Sequence, residues 1–327
     1  MLSPSCNVKV IMQREENIVM KHGVLEVPGA KLYYEVRGSG PILLMIHGGN
    51  GDAESYPITD RLSDRYTVIT YDRRGHSRSR PEDPNENYQV SAHSDDASRL
   101  LAALTDEPAH VFGCSSGAVI GLDLAIRHPA QIRMLVAHEP PIPQLLAGSD
   151  RTKGFESLEN LEKQYKRSGL QALEAFAKAM GITSTAQPDR PKTRTEQLRA
   201  NIDYFILSEV PGLREYSPDI GRLKASPVTV VPAGGIDSQG CLPYRYAKAL
   251  ADHLKTKVVD FPGNHVGCVL YPEALPKNWT WFLEDVTTKI PRDETLGILN
   301  QSAVRRKRMA CNRHSIFQFK CIRSLML

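Results

Sequence analysis

Cysteine is sparse and poorly placed for cross-linking. The six residues, Cys6, Cys114, Cys241, Cys268, Cys311 and Cys321, form no C-x-x-C pair and no even framework. Neither a zinc site nor a disulfide scaffold is indicated, and a reduced, cytoplasmic setting is the expectation. Long apolar runs are missing as well. None approaches the roughly 18–20 residues that a membrane span needs, and mean hydropathy is −0.33. Glu15, Glu16 and Asn17 occupy the stretch where a secretion signal would be apolar, so no signal peptide is expected. No internal repeat or low-complexity segment is present. The alternating pattern described below breaks once, between about Leu145 and Lys224, where no strand signal occurs.

Charge of one sign is also lacking, except locally. The chain of 327 residues has a net charge of +4, but residues 287–327 hold nine Lys or Arg against two acids, and the other residues hold 32 basic against 35 acidic. A slightly acidic body with a basic tail gives no footprint for a nucleic-acid-binding fold. The Arg305-Arg306-Lys307-Arg308 cluster is followed by residues with no periodic apolar face, and the tail is expected to be a poorly ordered, solvated extension. With 41% hydrophobic and 24% charged residues, the rest has a globular composition.

What is present alternates strand and helix. Val24–Val27 and Lys31–Val36 read as a hairpin around Pro28-Gly29. Ile42–Ile46 is a continuous apolar run, as in a strand buried on both faces. Thr67–Tyr71, Ala109–Phe112, Arg133–Ala137, Val228–Val231 and Lys257–Phe261 are further strand candidates. Helical patterns fall at Ala92–Leu104, Ser116–Arg127 and Tyr244–Leu254. The expected class is α/β, with a mostly parallel, doubly wound sheet. Where the alternation breaks, Phe155–Met180 and Thr195–Glu209 read as helices of a cap inserted over one end of the sheet. The expected organisation is an N-terminal extension (1–22), a core (23–144 and 225–286), a helical cap (145–224) and the basic tail (287–327).

Gly113-Cys114-Ser115-Ser116-Gly117 matches G-x-S-x-G between an apolar strand and a helix, the context that a nucleophile elbow requires. The elbow strains its serine, so its neighbours must be small. It also stands the hydroxyl at the positive end of a helix. A serine needs a base, and His265 lies in the glycine-flanked loop Pro262-Gly263-Asn264-His265-Val266-Gly267 after the last strand. His47-Gly48-Gly49-Asn50-Gly51 follows the buried strand, where an oxyanion donor is needed. The amide of Ser116 would supply one donor and that of Gly49 the other, with its neighbour Gly48 as an alternative. This loop carries neither G-x-G-x-x-G nor a P-loop lysine, so a phosphate site is not indicated. Cys114 is expected to pack rather than react.

This set resembles the α/β-hydrolase fold superfamily over about Val24 to Asp285. The likeness rests on His47-Gly48-Gly49, Tyr71-Asp72-Arg73-Arg74-Gly75-His76-Ser77, the elbow, Pro227–Asp237 and Gly263–Gly267, all in the family's order. The resemblance implies the chain order nucleophile, acid, histidine. It leaves two acids open. Asp237 stands where most of the superfamily places it. Glu139, in His138-Glu139-Pro140-Pro141, stands where a subset that includes zearalenone-type lactonases does, and the elbow Gly-Cys-Ser-Ser-Gly-Ala looks like that subset, which favours Glu139. Pro140 is expected to extend Glu139 straight off its strand.

The expected function is hydrolysis of a carboxylic ester or lactone of a small apolar molecule. Carbon–carbon bond hydrolysis and ligand binding with little turnover are the alternatives. No cofactor, metal, nucleic-acid partner or membrane is implied.

Overall fold

The computed structural model describes residues 9–267 apart from 16–17, 50, 56–57, 84–85 and 180–191. The basic tail and the core residues from 268 onward lie outside the described residues, as do Met180 and Asn50. Among the described residues nine strands form one sheet: β1 (Lys9–Glu15), β2 (Ile18–Val27), β3 (Ala30–Arg37), β4 (Ile42–Ile46), β5 (Thr67–Tyr71), β6 (Ala109–Cys114), β7 (Ile132–His138), β8 (Thr229–Gly235) and β9 (Val259–Phe261). Their order across the sheet is β1-β2-β3-β5-β4-β6-β7-β8-β9. Pairing is antiparallel from β1 to β5 through β2 and β3, and parallel from β5 to β9.

Residue 22, the expected end of an N-terminal extension, falls inside β2. Gly23 looks like a strand breaker in sequence. In the sheet its bare Cα admits the ring of Tyr34, whose hydroxyl would lie 2.5 Å from any Cβ there, a close approach of the kind that glycine in a strand allows.

The crossovers are helical: α1 (Thr59–Leu62), α2 (Val90–Leu104), α3 (Ser116–Arg127) and α9 (Leu242–Leu254), with the helices of the cap inserted between β7 and β8. Alternate residues of the central strands feed two cores, as a two-residue side-chain period requires. Leu44, Ile46, Ile69, Val111, Leu135 and Ala137 pack with Leu100, Val119 and Leu122 from α2 and α3. Leu43, Met45, Val68, Phe112, Met134 and Val136 pack on the other face with Leu62, Val231 and Phe261.

The cap comprises α4 (Gly148–Ser168), α5 (Gln171–Ala179), α6 (Lys192–Tyr204), a wider π-turn (Phe205–Glu209), α7 (Val210–Glu215) and α8 (Ile220–Ala225). The first cap helix begins seven residues earlier than the apolar period indicates. It stops at Gly169, whose φ of +58° is readily adopted only by glycine. Leu158, Leu161, Tyr165, Ala172, Ile202, Ile206 and Val210 give the cap its own core. The ion pair of Arg194 with Asp52 and the Asn201 amide on Ser77 (2.9 Å) tie α6 to the loops at the end of the parallel strands.

Candidate active site

Ser115 sits between β6 and α3 with φ +53° and ψ −124°, a conformation that is costly for a side chain and is held only by its surroundings. Its amide donates to the His138 carbonyl of the next strand (2.9 Å), and its carbonyl accepts from Ala118 (2.9 Å). A Cβ on Gly117 would lie 2.1 Å from the Ile46 carbonyl oxygen, and one on Gly113 would lie 2.6 Å from the Gly117 carbonyl oxygen. Both glycines of the motif are therefore steric requirements set by backbone, not by movable side chains. Gly117→Ala is expected to cost about 3 kcal/mol or more, a fall in Tm of roughly 6–12 °C, which a thermal melt reads directly.

Glu139 follows β7 and is fully buried. Its φ of +48° corrects the expectation that Pro140 extends it. Proline does exclude the right-handed helical region, but the backbone turns left-handed. The Glu139 amide then donates to the Ala233 carbonyl of β8 (2.9 Å), and the carboxylate folds over the end of that strand. Oε1 accepts from the Gly235 amide (2.9 Å). Oε2 lies 2.7 Å from His265 Nδ1 and 3.5 Å from Ser238 Oγ. Because a carboxylate only accepts, Nδ1 carries the proton.

Burial opposes ionisation of Glu139. The His265 hydrogen bond, the electrostatic influence of the nearby His138 and His265 rings and the Gly235 amide outweigh it and hold the carboxyl below its ordinary 4.5. A depressed carboxyl stabilises the fold above its unfolded pKa and loses that contribution as pH falls through the folded one. The stability difference between the protein and Glu139→Gln, read from urea melts, is expected to be level above pH ~5.5 and to shrink below ~4.5.

The structure brings Glu139 and His265 together and leaves Asp237 apart. Asp237 is exposed, and its amide donates to the Gly263 carbonyl (2.9 Å). That bond ties the turn after β8 to the His265 loop without using the carboxylate. Gly235 is what lets the loop come so close, since a Cβ there would meet the Gly263 carbonyl oxygen at 2.5 Å. Cys114 is buried in the second core. Its Sγ lies 3.7 Å from His138 Nδ1 and 3.8 Å from the His265 carbonyl, so the histidine loop rests on the elbow.

On the other side of Ser115, Gly48 is tight: a Cβ would lie 2.6 Å from Ser115 Cβ. Gly49 has φ +42°, and its amide donates to Ser116 Oγ (2.9 Å). No motif in the sequence hints at that contact. The Gly49 carbonyl is held by Arg73 Nη2 and His76 Nε2, each at 2.8 Å. Arg73 and Glu209, which pair below this loop, were not singled out as site residues by any motif. The cap adds apolar walls. Phe205 would lie 3.8 Å from a Gly49 Cβ, and Phe176 and Val266 pack on Ala177. Among the described residues no helix is long and apolar enough to cross a membrane.

A strained serine at a strand–helix turn, with a buried carboxylate–histidine pair at the ends of neighbouring strands, is the arrangement of an α/β hydrolase, and the comparisons agree. The family model for the alpha/beta hydrolase fold matches residues 41–188. The uncharacterized hydrolase YraK of Bacillus subtilis is 45% identical over 259 residues, covering 78% of this chain and 93% of YraK. The chain belongs to the α/β-hydrolase family. Among solved structures, a bromoperoxidase from Bacillus anthracis superposes with a TM-score of 0.64 at 20% identity, covering 81% of this chain and all of that one (100%). A carboxylesterase of the thaumarchaeon Nitrososphaera gargenis gives 0.62 at 21% identity, covering 81% and 99%. These two establish likeness of fold.

Proposed function

We propose that the protein is a serine hydrolase that cleaves a carboxylic ester or lactone of a small, apolar molecule. The observation that carries this reading is the 2.7 Å contact between His265 Nδ1 and the buried Glu139 carboxylate, in a chain whose elbow serine precedes both. With Nδ1 protonated, Nε2 is the basic nitrogen. It takes the Ser115 proton as Oγ attacks the carbonyl, and it returns that proton to the leaving alcohol. Glu139 fixes the tautomer and stabilises the imidazolium, and Asp237 takes no part. The amides of Gly49 and Ser116 receive the oxyanion, with Gly48 giving the loop its closeness to Ser115. Gly49 exchanges the Ser116 hydroxyl for the substrate oxygen as charge develops. Water, activated by His265 in the same way, then frees the acyl group. Each step draws only on these side chains and amides.

The apolar acyl preference is supported by Phe205 beside Gly49 and by the pairing of Arg73 with Glu209, which uses up the nearest buried cation. The test is a panel of p-nitrophenyl esters and aryl and alkyl lactones with the purified full chain. Turnover of neutral apolar members over carboxylate-bearing ones is expected. Failure to turn over any member, with no adduct from a fluorophosphonate probe, would transfer the fold to ligand binding.

A further inference from the structure

A fully buried ion pair outside the Glu139–His265 site lies beside the oxyanion loop. Arg73, His76 and Glu209 are each 0% exposed. Arg73 comes from the turn after β5, and Glu209 closes the π-turn of the cap. The guanidinium bridges two oxygen acceptors and lies beside His76, whose Nε2 is 3.2 Å from Nη2. Nη1 donates to Glu209 Oε1 at 2.5 Å, and Nη2 donates to the Gly49 carbonyl at 2.8 Å. His76 Nε2 lies 2.8 Å from the same carbonyl, in a ring whose burial and proximity to Arg73 keep it neutral. Beside the apolar wall of Phe205, the cap therefore reaches the candidate oxyanion donor by a polar route, from Glu209 through Arg73.

Such a pair is not explained by stability. Removing two charges from water costs more than their attraction returns unless the remaining groups are satisfied, and apolar replacements of similar volume are often as stable. Among the described residues Arg73 Nε and Glu209 Oε2 have no hydrogen-bond partner, so the pair retains part of that cost. What it supplies is geometry. The planar fork of an arginine fixes two acceptors relative to each other, as a lysine ammonium does not. One of those acceptors belongs to the cap and the other to Gly49.

We propose that Glu209 is a positioning residue for the oxyanion loop: from the cap it aligns Arg73, which clamps the Gly49 carbonyl and so sets the Gly49 amide for the transition state. This rests on the serine-hydrolase reading above. The clamp makes oxyanion stabilisation conditional on the cap being seated.

The experiment uses the full chain with p-nitrophenyl acetate and a trifluoromethyl ketone, which forms a tetrahedral oxyanion on a reactive serine. Glu209→Gln is expected to lower kcat by about 10- to 100-fold with KM within about threefold, somewhat less than deleting an oxyanion donor outright. Ketone affinity should fall by a similar factor. Arg73→Gln should behave alike, and the double variant should lose no more than the worse single one, because both act through one contact. Arg73→Lys keeps the charge pair but not the fork, and is expected to fold and still lose kcat. It serves if Glu209→Gln does not fold.

Arg194→Ala loosens α6 without touching the Gly49 carbonyl, and should keep kcat within about threefold. A loss of the same size there would overturn the clamp in favour of general cap docking. So would losses confined to KM, or single losses that multiply. Turnover by the unaltered protein that Ser115→Ala removes secures the underlying reading, and an unchanged kcat in Glu209→Gln then sinks the clamp alone. Without any turnover, the ¹³C shift of the Gly49 carbonyl decides: movement in Glu209→Gln retains the contact, and an unmoved signal overturns it.

Discussion

Ser115→Ala should reduce ester turnover by about 10⁵–10⁶-fold, the scale seen when the nucleophile of such a site is removed, while leaving the melting temperature within a few degrees. The fold should tolerate the change because what the backbone demands here is φ +53°, a strain that alanine bears about as well as serine. The turn is held by the Ser115 amide on His138 and the Ala118 amide on the Ser115 carbonyl, and neither bond involves the hydroxyl. The companion measurement is a fluorophosphonate adduct mapped by mass spectrometry, on Ser115 in the unaltered protein and absent from the variant. Ser116 is the obvious alternative nucleophile, and the geometry argues against it. It is fully buried, it opens α3, and its oxygen already accepts the Gly49 amide. Retained turnover in Ser115→Ala would nevertheless point there, and the proposed mechanism would fail.

The second large effect separates the two carboxylates. Glu139→Gln is expected to cost about 10³–10⁴-fold in kcat, because an amide facing His265 Nδ1 no longer selects the tautomer that leaves Nε2 basic. Asp237→Asn is expected to stay within about threefold, because that side chain is exposed and its residue's structural contribution is a backbone bond to Gly263. Parallel kinetics on one ester, with circular dichroism to verify folding, settle the matter. The opposite pattern would return the acid to the end of β8.

The parts of this site that were legible in the sequence are those with a local signature. The elbow advertises itself because Gly113 and Gly117 must make room for backbone within a few residues of Ser115. The helices on either side of 180–191 could be read from apolar residues near helical spacing, such as Leu158, Leu161 and Tyr165, and from the lack of strand signals. The choice of Glu139 came from position relative to the strands and from family resemblance, but its left-handed backbone did not. Pro140 limits φ and ψ without selecting among the remaining regions, and the selection comes from Ala233, Gly235 and His265, all far along the chain. The Arg73–Glu209 contact has no sequence signature at all, since a charge in a helical run reads as a solvated face until the cap is seen to turn it inward. The hairpin of β2 and β3 was legible from Val24 onward, but β1 and the first half of β2 escaped, for a different reason. Gly23 and the charged residues around it look like a break, and only the Tyr34 ring on the neighbouring strand explains why glycine is there.

Inserting the cap between β7 and β8 has a further consequence, for the order in which the molecule assembles. His138 and Ala233 are neighbours in the sheet, yet the whole cap lies between them in the chain. Their pairing closes a long loop, and the entropy of closure must be met before the contact returns anything. Strands β3 to β7 have no such gap, so they are expected to form the early nucleus together with α2 and α3. The cap's separate core of Leu158, Leu161, Tyr165, Ile202 and Ile206 lets it collapse locally and shorten the effective loop. Docking of β8 then becomes a late step, and with it the burial of Glu139 against Gly235 and His265. Refolding of the backbone should therefore run ahead of recovery of the site, a lag visible as secondary structure returning before probe reactivity.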